Sequence, residues 1–188
     1  MIILDIETGG LKPIINPLLS IGAVTLNGKW DFYGECRMDH FQKASETALE
    51  INGFSRSKFD PRDPAFDWEG SESEVELYLR FLRWVELVAQ NEGAEYVKDF
   101  GGHNVSGFDI AWLKAIHEKY LPPLFRFPLP YRTVDLHSLG YAAFGKSMSH
   151  KDICIALGLA PEPEPHNALA GAKSERDAIK VLLERFKQ

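Results

Sequence analysis

The sequence predicts an α/β fold: a mixed five-stranded sheet, an antiparallel meander followed by parallel strands, flanked by helices. Three observations predict it. Short runs rich in Ile, Val and Leu crowd the N-terminal part of the chain. An Asn27-Gly28 pair sits between two of them as a hairpin signal. Farther on, helical segments alternate with isolated strand-like runs.

Each element has a local reason. Ile2 to Leu4 reads as a short buried strand ending in an acid-rich turn. Residues 18–27 alternate as a strand, and residues 29–38 form its partner across Asn27-Gly28. Residues 44–51 suit a short helix stopped by Asn52-Gly53. Pro61, Pro64 and Gly70 mark 55–70 as a loop. Ser71 to about Gln90 is an amphipathic helix with a Ser71-x-x-Glu74 start. Residues 95–101 read as a strand and Phe108 to Tyr120 as a helix closed by Pro122-Pro123. The four prolines of 121–131 make a loop, Thr133-Val134 a short strand, and 136–144 and 149–157 two helices, the second closed by Gly158. Residues 160–165 (APEPEP) are an extended connector, and Asn167 to Phe186 is the final helix.

Composition narrows the function. The chain has 188 residues, 45% hydrophobic and 26% charged, which suits one domain with a sizeable core. Lys plus Arg is 21 and Asp plus Glu is 27, a net charge of −6. Such a chain is poorly suited to gripping duplex DNA through many phosphates, but not to gathering carboxylates around divalent cations, which reverse the local sign. Cys36 and Cys154 lack metal-ligand spacing and read as reduced, buried thiols. An acid at position 5 argues against a leader peptide, and no apolar run reaches about 18 residues, so a soluble, cytoplasmic chain with no membrane partner is expected.

Three segments carry groups suited to chemistry. Asp5 and Glu7 close the first strand on one side of the chain, where two carboxylates can share a hard cation; Gly9 and Gly10 follow. Asp109 stands in the first turn of a helix, beside Phe108 and after the strand-end pair His103-Asn104. His166 follows the Pro-rich connector and precedes the last helix, a setting for a general base. Alone, each also reads as a solvated turn or a helix cap. His40, His117, His137 and His150 read as ordinary.

Taken together, LDIETGGL at 4–11, GHNVSGFDIAWL at 102–113 and HNALAGA at 166–172 resemble the motifs of the DEDDh-type, DnaQ-like 3′–5′ exonucleases, whose fold is RNase H-like. ALEINGFS at 48–55 is similar to the segment that packs beside the terminal nucleotide in that family. The resemblance implies two-metal phosphodiester hydrolysis at DNA 3′ ends with two divalent cations, Mg²⁺ or Mn²⁺. Asp5 would bridge both ions, Glu7 would hold the first, and Asp109 would act near the second. His166 would take a proton from the attacking water, and a nucleoside 5′-monophosphate would leave. Thr8, Gly9, Leu11, Leu49, Asn52, Phe54, His103, Asn104 and Phe108 are the expected substrate contacts, with Ser20 assisting Thr8. A polymerase or repair complex would be a partner, and a weak 3′-end binder or an exoribonuclease is the alternative on the same fold.

There is one departure. The family has an aspartate five residues after the motif histidine, where this chain has Gly171. Three accounts stand open: an introduced change, a natural variant that binds but cleaves poorly, and replacement by Glu175. Glu175 shares a helix face with residue 171, but its arm spans only part of the roughly 6 Å between them. Nothing in the sequence gives Gly171 a structural reason.

Overall fold

The computed structural model describes residues 1–38, 43–55, 59, 61, 63–67 and 71–187. Five strands, β1 (Ile2–Thr8), β2 (Leu18–Thr25), β3 (Asp31–Glu35), β4 (Phe100–Gly102) and β5 (Thr133–Asp135), form one sheet in the order β3-β2-β1-β4-β5. β1 and β3 pair antiparallel to β2, whereas β4 and β5 add in parallel. The helices are α1 (Glu46–Ile51), α2 (Glu74–Glu92), α3 (Asp109–Tyr120), α4 (Leu136–Phe144), α5 (His150–Leu157) and α6 (Ala168–Arg185). The expected mixed sheet flanked by helices is the fold observed.

Strand alternation sorts the core into two layers. Ile2, Leu4 and Ile6 point to one face, against Leu77, Tyr78 and Phe81 of α2 and Trp112 and Leu113 of α3. Ile3 points to the other, among Leu136 of α4, Ile153 of α5 and Ala172 and Ile179 of α6. Asp5 and Glu7 continue the Ile3 face, so the strand that anchors the core aims both acids at α6. Gly22, beside Asp5 in the sheet, lets that helix settle close: a Cβ there would lie 2.1 Å from the Ala168 carbonyl carbon.

Some boundaries differ from expectation. β1 runs on to Thr8, so Asp5 and Glu7 sit on a rigid strand rather than in a turn. The α2 capping box uses Ser73 and Glu76, two residues later than the Ser71-Glu74 pair. Glu74 is instead buried and accepts from Lys119 Nζ and Tyr120 Oη, each at 2.6 Å. Within 95–101, Ala94–Val97 is a 3₁₀ turn and the strand is confined to Phe100–Gly102. The 55–70 loop lies partly, and His40 wholly, outside the described residues. Cys36 and Cys154 are buried thiols, not joined in a disulfide. His117 is a core histidine, its Nδ1 3.1 Å from Tyr78 Oη and its Nε2 2.9 Å from the Phe125 carbonyl oxygen. Among the described residues, no helix is long and apolar enough to cross a membrane.

Candidate active site

The site forms where the carboxyl end of β1 meets the starts of α3 and α6. Pairing between β1 and β4 ends at Ile3 and Gly101. Beyond it the Ile6 N–H donates to Asp109 Oδ1 at 3.0 Å, which pins the first turn of α3 across β1. The turn that delivers Asp109 is built on Asn104, in the left-handed region at φ 58°, whose carbonyl accepts the N–H groups of Gly107 and Phe108. Asparagine is among the few residues that adopt this conformation readily.

α6 supplies the opposite wall. Asn167 caps it, its Oδ1 accepting from the Leu169 and Ala170 N–H groups at 3.1 Å each. Gly171 faces Asp5, and one turn later Glu175 is buried at 5% exposure. Glu175 Oε1 accepts the His103 N–H at 3.1 Å, whereas its buried Oε2 has no hydrogen-bond partner among the described residues. The connector before α6 is tied down by the His166 N–H, which donates to the Ile51 carbonyl at 3.0 Å. The His166 side chain stays 42% exposed, its Nδ1 3.6 Å from Glu162 Oε2.

Glu162 is a site residue the sequence analysis missed. Its Oε1 accepts the Asn167 N–H at 2.9 Å, and Glu7, Glu162 and His166 each bring a ligand atom within 4.8 Å of the others. The APEPEP connector holds two glutamates, and no sequence signal distinguishes this inward one from the exposed Glu164.

Five carboxylates therefore converge. Burial raises Asp5 well above the usual carboxylate range, and Glu175, Asp109, Glu7 and Glu162 add repulsion in that order. Burial followed by Glu162 and Asp109 pushes Glu7 up to about 8. Burial pushes Asp109 to about 8 against the pull of its backbone hydrogen bonds. Glu175 is raised by burial and then by Asp109, and Glu162 by burial, partly offset by the Asn167 N–H and His166. Among the described groups acting on these acids, His166 is the one basic side chain. Carboxylates so crowded suit hard divalent cations, which neutralise them and accept oxygen ligands.

Beside the acids lies a cavity of about 710 Å³, with Thr8, Leu11, Asn52 and Phe108 in its lining. Ile15 and Ile51, unanticipated, join them. Asn52 Nδ2 donates to the Thr8 carbonyl at 3.1 Å, joining α1 to β1. Other expected contacts serve packing instead. Leu49 is buried beside Leu19, Met38 and Ala44, because its helix turns that face to the core, and Phe54 packs on Phe59 at 4.3 Å between ring centroids. Gly9 is enclosed: a Cβ there would meet Pro17 at 2.7 Å. Ser20 is fully buried in β2, paired across the sheet with Glu7, and is not part of the cavity lining. His103 contributes its backbone to Glu175, while its ring sits beside His137 and His150.

Comparison with known proteins agrees with this fold. No family model matches the chain. Ribonuclease T of Photorhabdus laumondii subsp. laumondii is 28% identical over 192 residues, spanning 100% of this chain and 85% of that protein. Ribonuclease T of Salmonella typhimurium is 28% identical over 185 residues, spanning 95% of this chain and 80% of that protein. Among solved structures, E. coli Exonuclease I in complex with a 5cy-dT13 oligonucleotide superposes with a TM-score of 0.70 at 17% identity, over 98% of this chain. Exonuclease I from Methylocaldum szegediense gives 0.71 at 17% identity, over 100% of this chain. The chain spans 40% and 41% of those two structures. The sheet order and its helices define an RNase H-like α/β protein. With these relatives, the chain is similar to the DnaQ-like 3′–5′ exonucleases.

Proposed function

We propose that residues 1–188 form one metal-dependent exonuclease domain that removes nucleoside 5′-monophosphates from the 3′ ends of single-stranded DNA. One observation carries the reading: five carboxylates crowd the carboxyl end of β1 beside a half-exposed histidine and an open cavity. The carboxylate donors fit Mg²⁺ or Mn²⁺, and one of their buried oxygens, Glu175 Oε2, has no hydrogen-bond partner among the described residues.

Asp5, Glu7 and Asp109 would hold the ions. When bound, the ions would acidify water and offset the charge of the scissile phosphate. The strand and the Ile6 N–H hold the acids rigid, so little reorganisation accompanies binding. His166 takes the proton of the attacking water; with Nδ1 turned to Glu162, Nε2 is the nitrogen that accepts it. As the water oxygen bonds to phosphorus, the bond from phosphorus to the 3′ oxygen of the penultimate nucleotide breaks. Leu11, Ile15, Ile51 and Phe108 offer the terminal base an apolar, sequence-tolerant wall.

RNA 3′ ends are the second reading, favoured by the relatives named Ribonuclease T. The reading of a 3′-end binder without turnover rests on Gly171 alone. The test is mononucleotide release from single-stranded DNA and RNA carrying a 3′-terminal label, with Mg²⁺ or Mn²⁺. Release from the 3′ end supports the proposal, and the better strand assigns the substrate. No shortening of either strand overturns it.

A further inference from the structure

We propose that Glu175 supplies the fourth metal-binding carboxylate of this site, and that residue 171 is glycine because the Asp5 carboxylate occupies the space its side chain would need. The inference rests on the metal site of the proposed function and specifies its ligands. It makes the absent aspartate a relocated acid rather than a lost one.

Clearance is the first ground. A Cβ on residue 171 would lie 1.9 Å from Asp5 Oδ2, 3.0 Å from Asp5 Cγ and 3.2 Å from Glu162 Oε1. With this backbone, any side chain at 171 displaces Asp5. An aspartate there would also add a sixth carboxylate to the five already crowded together.

The second ground is Glu175 itself. Side chains on a helix lean toward its N-terminus, so Glu175 reaches back along the face that Gly171 leaves bare. It is 5% exposed. The His103 N–H orients one oxygen at 3.1 Å, and the other is buried with no hydrogen-bond partner among the described residues. Gly102 leaves room for that second oxygen: a Cβ there would approach it to 3.2 Å. Buried polar atoms in folded proteins are almost always paired, and a missing ion is a standard reason for an orphan. α6 sits close on the sheet, over Gly22 and Asp5, which brings Glu175 against the His103 backbone at the end of β4.

The experiment is a Mn²⁺ titration of the full chain by calorimetry, beside Asp5→Asn, Glu175→Gln and Gly171→Ala. Glu175→Gln keeps an oxygen for the His103 N–H, so its metal-free melting temperature should hold or rise. Its Mn²⁺ affinity should fall by about tenfold or more. Gly171→Ala should weaken Mn²⁺ binding although it removes no carboxylate, and it provides an independent reading if Glu175→Gln fails to fold. Binding lost in Asp5→Asn but unchanged in both other variants overturns the Glu175 assignment and leaves the metal site intact. Binding unchanged in all three overturns the metal site and this inference with it. A Gly171→Asp chain that binds Mn²⁺ tighter than the parent would return the fourth ligand to position 171 and also overturn it.

Discussion

Glu162 Oε2 lies 3.6 Å from His166 Nδ1, and the other oxygen of Glu162 holds the Asn167 N–H at the start of α6. One carboxylate thus orients the histidine and anchors the helix that follows it. Glu162→Gln keeps the hydrogen-bond acceptor for Asn167 and removes the charge. Steady-state kinetics should show kcat reduced by about 10- to 100-fold with KM little changed. His166→Ala, which removes the base itself, should cost about 10²- to 10⁴-fold. A Glu162→Gln enzyme with parental kcat would assign Glu162 to the helix cap alone.

Leu11 and Leu49 belong to the same proposed substrate wall by sequence, but the fold separates them. Leu11 is 83% exposed at the cavity, whereas Leu49 is 2% exposed within a core cluster. Leu11→Ala should raise KM for an oligonucleotide and leave the melting temperature unchanged. Leu49→Ala should instead destabilise the protein by about 2–5 kcal/mol through the cavity it leaves. Thermal melts and initial rates on both variants separate the two roles.

Gly22 sets the height of α6 above the sheet. A methyl at that position would sit 2.2 Å from the Ala168 carbonyl oxygen, against backbone that cannot rotate away. Gly22→Ala should cost about 1–3 kcal/mol. It should also weaken Mn²⁺ binding, because the helix that must lift carries Glu175. A Gly22→Ala chain with parental stability and metal affinity would show that the helix position does not tune the site.

Much of this was legible in sequence because local chemistry fixed it. Ser149 and Gly158 bracket α5, Asn167 caps α6, and alternation in β1 set Asp5 and Glu7 on one face. What escaped depended on distances between elements remote in the chain. A Ser-x-x-Glu pattern at Ser71 competes with one at Ser73, and only packing that buries Glu74 decides between them. The inward turn of Glu162 comes from the path of the connector between α5 and α6. The space at Gly171 is defined by Asp5, 166 positions earlier. No periodicity or motif records how closely a helix lies on a strand.

The carboxylate cluster makes a directional prediction about pH. Glu7 and Asp109 titrate near 8 in the metal-free fold, and Asp5 and Glu175 are also raised. In the unfolded chain these groups titrate at about 4, the ordinary carboxylate value. Between about pH 4 and 8 the native state therefore binds more protons than the unfolded state, so stability falls as pH rises. The stabilisation is complete below the unfolded pKa values and is lost as pH climbs through the folded ones. In EDTA the melting temperature should decline steadily from pH 5 to pH 8.5. Mn²⁺ should reverse the decline, most strongly at the alkaline end, because it replaces the protons that the crowded acids give up. A melting temperature in EDTA that rises across this range would mean that the acids are ionised and accommodated in the metal-free fold, and would remove the electrostatic argument for a cation at the end of β1.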